Sequence, residues 1–344
     1  MTEIRKKDDV KEALSELIPV ACVSDHRYVC GLLTTLWSLC RAASGRESIC
    51  FYIFDLGLTS GDRRAVERLL ASFRNVSARA VFHVAGEERF KAFPPWHGSW
   101  GPYVRLILQD ELPAVDFAVY TDLDTLWLRD VGELWALREA DVPLCAVPDG
   151  SGVGHFSGGA RRTSALNMLG ASLSAKEYFC SGLLLLNLRL LRAEGFTQKA
   201  FDFLSRHIHV LKFPDQDCYN FFFPFPGARL LDWRWGEFSA AYGWRERNTP
   251  RVIHFANDAP WLHAPSLPGA LWWRAYAHAC AAAGRPWCAA YAWMQAVRHA
   301  VLATRVGFVL CRWPFWLINR KLFYKRFRRF HPQPKQPLSE EDTL

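Results

Sequence analysis

The feature that most limits what this chain can fold into is a strand end. Phe117-Ala118-Val119-Tyr120 is an apolar run of strand character that breaks into Thr121-Asp122-Leu123-Asp124. In an extended chain side chains alternate between faces, so Asp122 and Asp124 point the same way while Leu123 turns to the core. Two carboxylates so placed can converge on one hard divalent cation, Mg²⁺ or Mn²⁺, and such an ion suits a diphosphate. In open α/β sheets ligands collect outside the carboxyl ends of the strands, where this pair would stand. Asp-x-Asp after a strand is also ordinary turn chemistry. The surroundings have to decide between the two.

Those surroundings alternate strands and helices, the pattern of an α/β fold built on a nucleotide-binding unit. Residues 18–23 read as a buried strand, followed by Ser24-Asp25-His26-Arg27-Tyr28 and a helix-period apolar pattern over 29–40. Residues 49–54 and 78–84 read as further strands around a helix over 60–73, with Ser60 as its cap and Arg63, Arg64 and Arg68 outward. Asp25 also has the chemistry of a simple helix cap. Residues 90–102, rich in Pro, Gly and Trp, form a loop over the site, with His97 a weaker contact candidate. Asp130 and Glu133 stand at capping-box spacing. A strand over 144–147 turns toward the site at Pro148-Asp149-Gly150, and the loop over 151–162 lies on the acceptor side. Residues 183–186 have the continuous apolar character of a strand buried on both faces. Residues 196–207 predict a helix, Asp215-Gln216-Asp217 starts another, and 251–255 is a last strand.

The string VYTDLDTLWLRDVGELW resembles the metal-binding core of the family 8 glycosyltransferases. Three further stretches match that family in order: YFCSGLLLLNL (178–188), FPDQDCYN (213–220) and RVIHFANDAPW (251–261). The resemblance covers residues 19–261, and within the family it is to the bacterial lipopolysaccharide glucosyl- and galactosyltransferases. It implies a glycosyltransferase-A, Rossmann-like α/β sandwich and retaining transfer of a hexose from a UDP-sugar with Mn²⁺, Mg²⁺ being the other candidate ion. Carried over residue by residue, it implies Asp122, Asp124 and His254 as metal ligands and Asp215 and Gln216 as the pair that binds the sugar and positions its anomeric centre. It further implies nucleotide or sugar contacts from Asp25, Tyr28, Arg105, Asp122, Leu123, Asp124, Cys180, Ser181, Gly182 and Asn257. Gly182 is expected to let backbone approach the sugar.

Three positions depart from the family pattern. Arg27 stands for an Asn, Cys180 for an Asn that bonds the sugar, and the Lys before Pro-Trp is missing, with Ala259 ahead of Pro260. A thiol is a poor substitute for an amide, and losing a cation weakens stabilisation of a departing diphosphate. Arg105 or Arg251 is the candidate replacement. These departures keep open an alternative: a weak or inactive nucleotide-sugar-binding protein of the same fold.

Charge divides the chain unevenly. The net charge is +8, yet the stretch from Ala259 to Ser339 holds 12 Lys and Arg and no Asp or Glu. The expected division is a catalytic domain over 1–265, a helical basic-aromatic region over 266–331, and a disordered tail over 332–344. Basic and aromatic residues interleaved as in NRKLFYKRFRRF suit an anionic membrane surface; RNA binding or a solvated tail are the other uses of such a stretch. No nucleic-acid partner is expected. The partners implied are a UDP-sugar, a lipid-linked oligosaccharide acceptor and the inner face of the cytoplasmic membrane. The apolar stretch near 301–318, cut by Arg305, Arg312 and Pro314, is a poor spanning helix. The 10 cysteines form no Cys-x-x-Cys pair and fit buried thiols of a cytoplasmic protein, and the charged N-terminus has no apolar signal region.

Overall fold

A computed structural model describes residues 17–45, 48–96, 98–149, 163–239, 249–256, 259–262 and 265–303. The strands are β1 (Leu17–Ser24), β2 (Ser48–Asp55), β3 (Ser77–Val84), β4 (Phe117–Thr121), β5 (Thr125–Trp127), β6 (Leu144–Pro148), β7 (Phe179–Asn187), β8 (Arg229–Leu230), β9 (Glu237–Phe238) and β10 (Val252–His254). Seven of them form one sheet in the order β3-β2-β1-β4-β7-β6-β8, and β5-β10-β9 form a second.

This order positions the site. β1 pairs in parallel with β2 on one side and β4 on the other, so the strand order reverses between β1 and β4. Val20 faces Val119 and Ala21 faces Tyr120, which brings the carboxyl ends of both strands to one edge. Ligands gather at such a reversal. β7 runs antiparallel to β4 with Leu183 opposite Thr121, so its first residues, Cys180 to Gly182, meet the end of β4. In the second sheet His254 lies opposite Thr125. Backbone bonds lock both junctions, Asp122 N–H to Gly182 O at 2.8 Å and Phe255 N–H to Asp124 O at 2.8 Å.

β7 is buried throughout except at Cys180, in keeping with its unbroken leucines. One apolar cluster lies on the side of helix Val29–Ala42 and the other under Tyr103, Phe179 and Tyr219. Helices Leu267–Ala282 and Pro286–Leu302 pack on each other, and Trp272 and Tyr276 of the first join the same core as Leu33 and Leu36. A chain of rings runs from Tyr28 through Trp261 to Trp272, at centroid distances of 6.3 and 4.9 Å.

Two caps differ from expectation. Helix Ser60–Ala71 is capped by Thr59 in a reciprocal box with Asp62, not by Ser60. Asp130 does cap helix Val131–Trp135, but Glu133 turns away to pair with Arg251. In the first, the helix starts one residue earlier, so Thr59 and not Ser60 meets the free N–H groups; in the second the cap is where it was expected and the guanidinium of Arg251 takes Glu133 from the box. All nine cysteines among the described residues are free thiols. No helix among them is long and apolar enough to cross a membrane. Of the basic-aromatic region expected over 266–331, the part from residue 304 on lies outside the described residues, as does the tail over 332–344.

Candidate active site

Asp122, Asp124 and His254 each offer a ligand atom, and those atoms lie within 4.8 Å of one another. The sequence folds this way locally because the turn is held from below. Thr35 Oγ1 donates to the carbonyls of Leu123 and Thr125, each at 3.1 Å, and Trp127 N–H donates to Ser38 Oγ at 3.1 Å. Gly31 lies in the same row, and a Cβ there would stand 2.6 Å from the Leu123 carbonyl oxygen. Gly31, Thr35 and Ser38 recur at helical spacing on one face. Their small size and polarity, in a mostly apolar helix, is a signal that could have flagged them as the seat of the turn that carries Asp122 and Asp124; the sequence reading missed it.

Asp122 Oδ1 accepts from Arg105 at 2.8 Å and from the Tyr120 hydroxyl at 2.8 Å. Burial raises its pKa, and the neighbouring guanidinium works against that without reversing it. Asp124 moves the other way: burial pushes it up, but the His254 imidazole outweighs this and holds it below the usual carboxylate value. His254 Nε2 lies 3.3 Å from Asp124 Oδ1, an oxygen that is buried and accepts no aligned hydrogen bond. Burial alone would lower the imidazole, yet Asp124 raises it well above its ordinary value. An orphaned carboxylate oxygen, a second carboxylate and an imidazole nitrogen converging at one point form a donor set suited to a divalent cation. The residues fit the metal that the resemblance implies.

Arg105, expected to reach the sugar nucleotide, is a buried tie, 5% exposed. It donates to Ser181 through the carbonyl at 2.7 Å and Oγ at 2.8 Å, and its Nε lies 3.2 Å from Asp215 Oδ2. Its guanidinium stacks 4.5 Å from the Tyr120 ring centre. Asp122 and Asp215, which the resemblance assigns to metal and sugar, are thereby joined through one cation. Ser181 closes the ring, donating from Oγ to Asp215 at 3.0 Å.

The Gln216 amide has one possible orientation. Its Oε1 accepts from Ser181 N–H at 3.0 Å, so Nε2 faces Asp149 Oδ2, also at 3.0 Å. Asp149 is thus a site residue that the sequence reading turned toward the site without counting it. Asp217, next in the motif, takes no such place: it accepts from Tyr178 at 2.6 Å and from the Lys212 and Phe213 N–H groups at 3.1 Å, and burial raises its carboxyl to about 6.

Asp25 caps the turn after β1, accepting from Arg27 N–H at 2.8 Å and Tyr28 N–H at 3.2 Å, while its other oxygen holds the Arg27 guanidinium at 2.6 Å. Arg27 also reaches Gly98 O at 3.1 Å, joining the first turn to the Pro- and Trp-rich loop. Gly182 sits against the triad, where a Cβ would meet His254 and Asp122. Arg251 is committed to Glu133 and to the face of Trp235, at 4.9 Å from its centre. It is therefore no free replacement for the missing Lys, and Arg105 is spent on its own carboxylates. His97 and Asn257 lie outside the described residues.

An open sheet with its order reversed between β1 and β4, an antiparallel β7 and a carboxylate-imidazole cluster at the reversal define the glycosyltransferase-A class. The solved galactosyltransferase LgtC, in complex with donor and acceptor sugar analogs, has this fold at a TM-score of 0.61, with 24% identity over 78% of this chain and 95% of that one. The sequence model of Glycosyl transferase family 8 matches residues 19–264, and the chain belongs to that family. A putative glycosyltransferase of Haemophilus influenzae is 26% identical over 208 residues, covering 60% of this chain and 59% of that protein. A lipopolysaccharide 1,2-glucosyltransferase of Escherichia coli is 31% identical over 204 residues, covering 57% of each. The match thus spans under two thirds of the length of these two relatives.

Proposed function

We propose that this chain is a retaining, Mn²⁺-dependent hexosyltransferase that moves glucose or galactose from a UDP-sugar to a lipid-linked glycan such as lipopolysaccharide core. The observation that carries this reading is the convergence of Asp122, Asp124 and His254 beside Asp215 and Gln216 at the sheet's order reversal. Asp122, Asp124 and His254 would hold the ion, and imidazole beside carboxylates favours Mn²⁺ over Mg²⁺. When bound, such an ion neutralises charge on a departing diphosphate. Asp25 and Tyr28 border the nucleotide. Asp215 and Gln216 bind the transferred sugar and set its anomeric centre, the Gln216 amide being held by Ser181 and Asp149. The acceptor places the enzyme at the inner face of the cytoplasmic membrane, held there by the basic-aromatic segment beyond 303.

The test is incubation of purified protein with UDP-glucose or UDP-galactose, Mn²⁺ and native or delipidated acceptor, following UDP release and the anomeric configuration of the product by NMR. Product of retained configuration only with Mn²⁺ and a lipid-linked acceptor is the expected result; an inverted product or metal-independent turnover overturns it. Sedimentation with anionic vesicles, for the full chain and for a chain ending at residue 303, checks the membrane assignment. Binding that ignores salt and lipid charge, or that survives the truncation, refutes it.

A second reading is favoured by one observation. Neither Arg105 nor Arg251 is free to replace the missing Lys. A protein that binds UDP with Mn²⁺ by calorimetry, yet releases UDP from no sugar donor, is the nucleotide-sugar-binding alternative.

A further inference from the structure

Cys180 interrupts the burial of β7, and the resemblance would have it touch the sugar. The structure gives its sulfur another neighbour. Sγ lies 3.8 Å from His254 Nδ1 and also accepts the Gly182 N–H at 3.4 Å. We infer that Cys180 is a positioning residue for His254: its sulfur accepts a hydrogen bond from Nδ1–H, which holds the proton on Nδ1 and leaves the Nε2 lone pair for the cation.

The two ring nitrogens of His254 face different groups. Nε2 points to Asp124, 3.3 Å away, and Nδ1 points to the sulfur. The ring is also held by its faces, with Phe238 stacked at 5.5 Å and 24° and the Gly182 backbone so near that it admits no side chain. Rotation is therefore blocked, and a flip would set Nε2 on sulfur. An imidazole that ligates through Nε2 carries its proton on Nδ1, and a hydrogen-bond acceptor there fixes ring and proton together. A carboxylate or carbonyl usually supplies that acceptor. Here it is a sulfur already receiving one N–H, which makes it a weak one. The departure from the family's Asn thus alters the metal's support, and any effect on the sugar is a separate question.

The inference rests on the metal reading above, so the test measures the metal alone. Mn²⁺ affinity is determined by EPR, without nucleotide, for the unaltered chain and for Cys180→Ala and Cys180→Ser; melting temperature without metal checks that each is folded. Loss of the acceptor in Cys180→Ala should weaken Mn²⁺ about tenfold, the low end for such outer partners, while Cys180→Ser, which keeps an acceptor, should stay within about threefold. Equal affinities for Cys180→Ala and the unaltered chain overturn the inference. So does an equal loss in Ala and Ser, because the sulfur's bulk would then be what matters. Absence of Mn²⁺ binding by the unaltered chain instead overturns the metal reading, and this inference with it.

Discussion

The backbone of Gly182 faces His254 at a distance that leaves no space for a side chain: a β-carbon there stands 2.3 Å from Cε1, 2.8 Å from Nε2 and 2.9 Å from Asp122 Oδ2. A close approach of this kind is a reason for glycine that has nothing to do with turns. Gly182→Ala should therefore displace two of the three proposed metal ligands and weaken Mn²⁺ by about a hundredfold, the scale at which a misplaced ligand shell is felt. Titration calorimetry with Mn²⁺ reads it directly. Unchanged affinity in a folded variant means the cation site lies elsewhere.

Thr35→Val keeps the shape of the side chain and removes one hydroxyl. The Leu123 and Thr125 carbonyls both lose a donor, which in a buried place costs about 1–2 kcal/mol. Urea unfolding should show that loss, and Mn²⁺ affinity should fall with it because the turn carrying Asp122 and Asp124 is loosened. Stability equal to the unaltered chain means that water or another donor satisfies the carbonyls.

Neither aspartate should be neutral to stability when no metal is present. Mutual repulsion alone would make removing either nearly so, but Asp122 also accepts from Arg105 and Tyr120, and Asp124 pairs with His254 at 3.3 Å. Asp122→Ala leaves a buried guanidinium short of a partner, with Asp215 still beside it, at a cost of about 2 kcal/mol. Asp124→Ala removes the carboxylate that the His254 imidazole holds below its usual value, which costs stability as well. Thermal melts in chelator should place both variants below the unaltered chain. A melt of Asp122→Ala equal to that of the unaltered chain refutes the role given to Arg105.

His299 makes stability depend on acid. Burial, with Arg298 adding to it, lowers its pKa from 6.5 to about 4. The unfolded chain takes up a proton near pH 6.5 that the folded one refuses until about pH 4. Its contribution is present above pH 6.5 and is lost as pH falls through that window, up to about 3 kcal/mol. Denaturant titrations between pH 4 and 7.5 should give a shallower fall for His299→Gln, by nearly one proton. Identical slopes refute this assignment.

The fold was legible because hydrophobic runs carry it. The leucines of β7, the strand over 18–23 and the Asp-x-Asp at the end of β4 each have a local pattern that survives without knowledge of neighbours. The triad was legible only through the resemblance, since His254 is far from Asp124 in the chain and no spacing rule joins them. What stayed hidden was the use of each polar group. Arg105 also ties two carboxylates together, Gly182 also leaves space for an imidazole, and Cys180 also touches a histidine. Such duties depend on partners brought from other strands, and a linear pattern does not contain them.

Asp62, the capping-box residue of the second long helix, is 1% exposed and accepts from two places at once: His26 in the first turn, at 2.7 Å, and Arg285 between the last two described helices, at 2.7 Å. For chimera design this single carboxylate is a rivet. An N-terminal part of this chain joined to another protein's C-terminal part at residue 265 would carry Asp62 without Arg285, and the turn after β1 would come loose where His26 leans on it. A junction placed after residue 303 keeps Asp62, His26 and Arg285 in one piece, and the rivet stays closed.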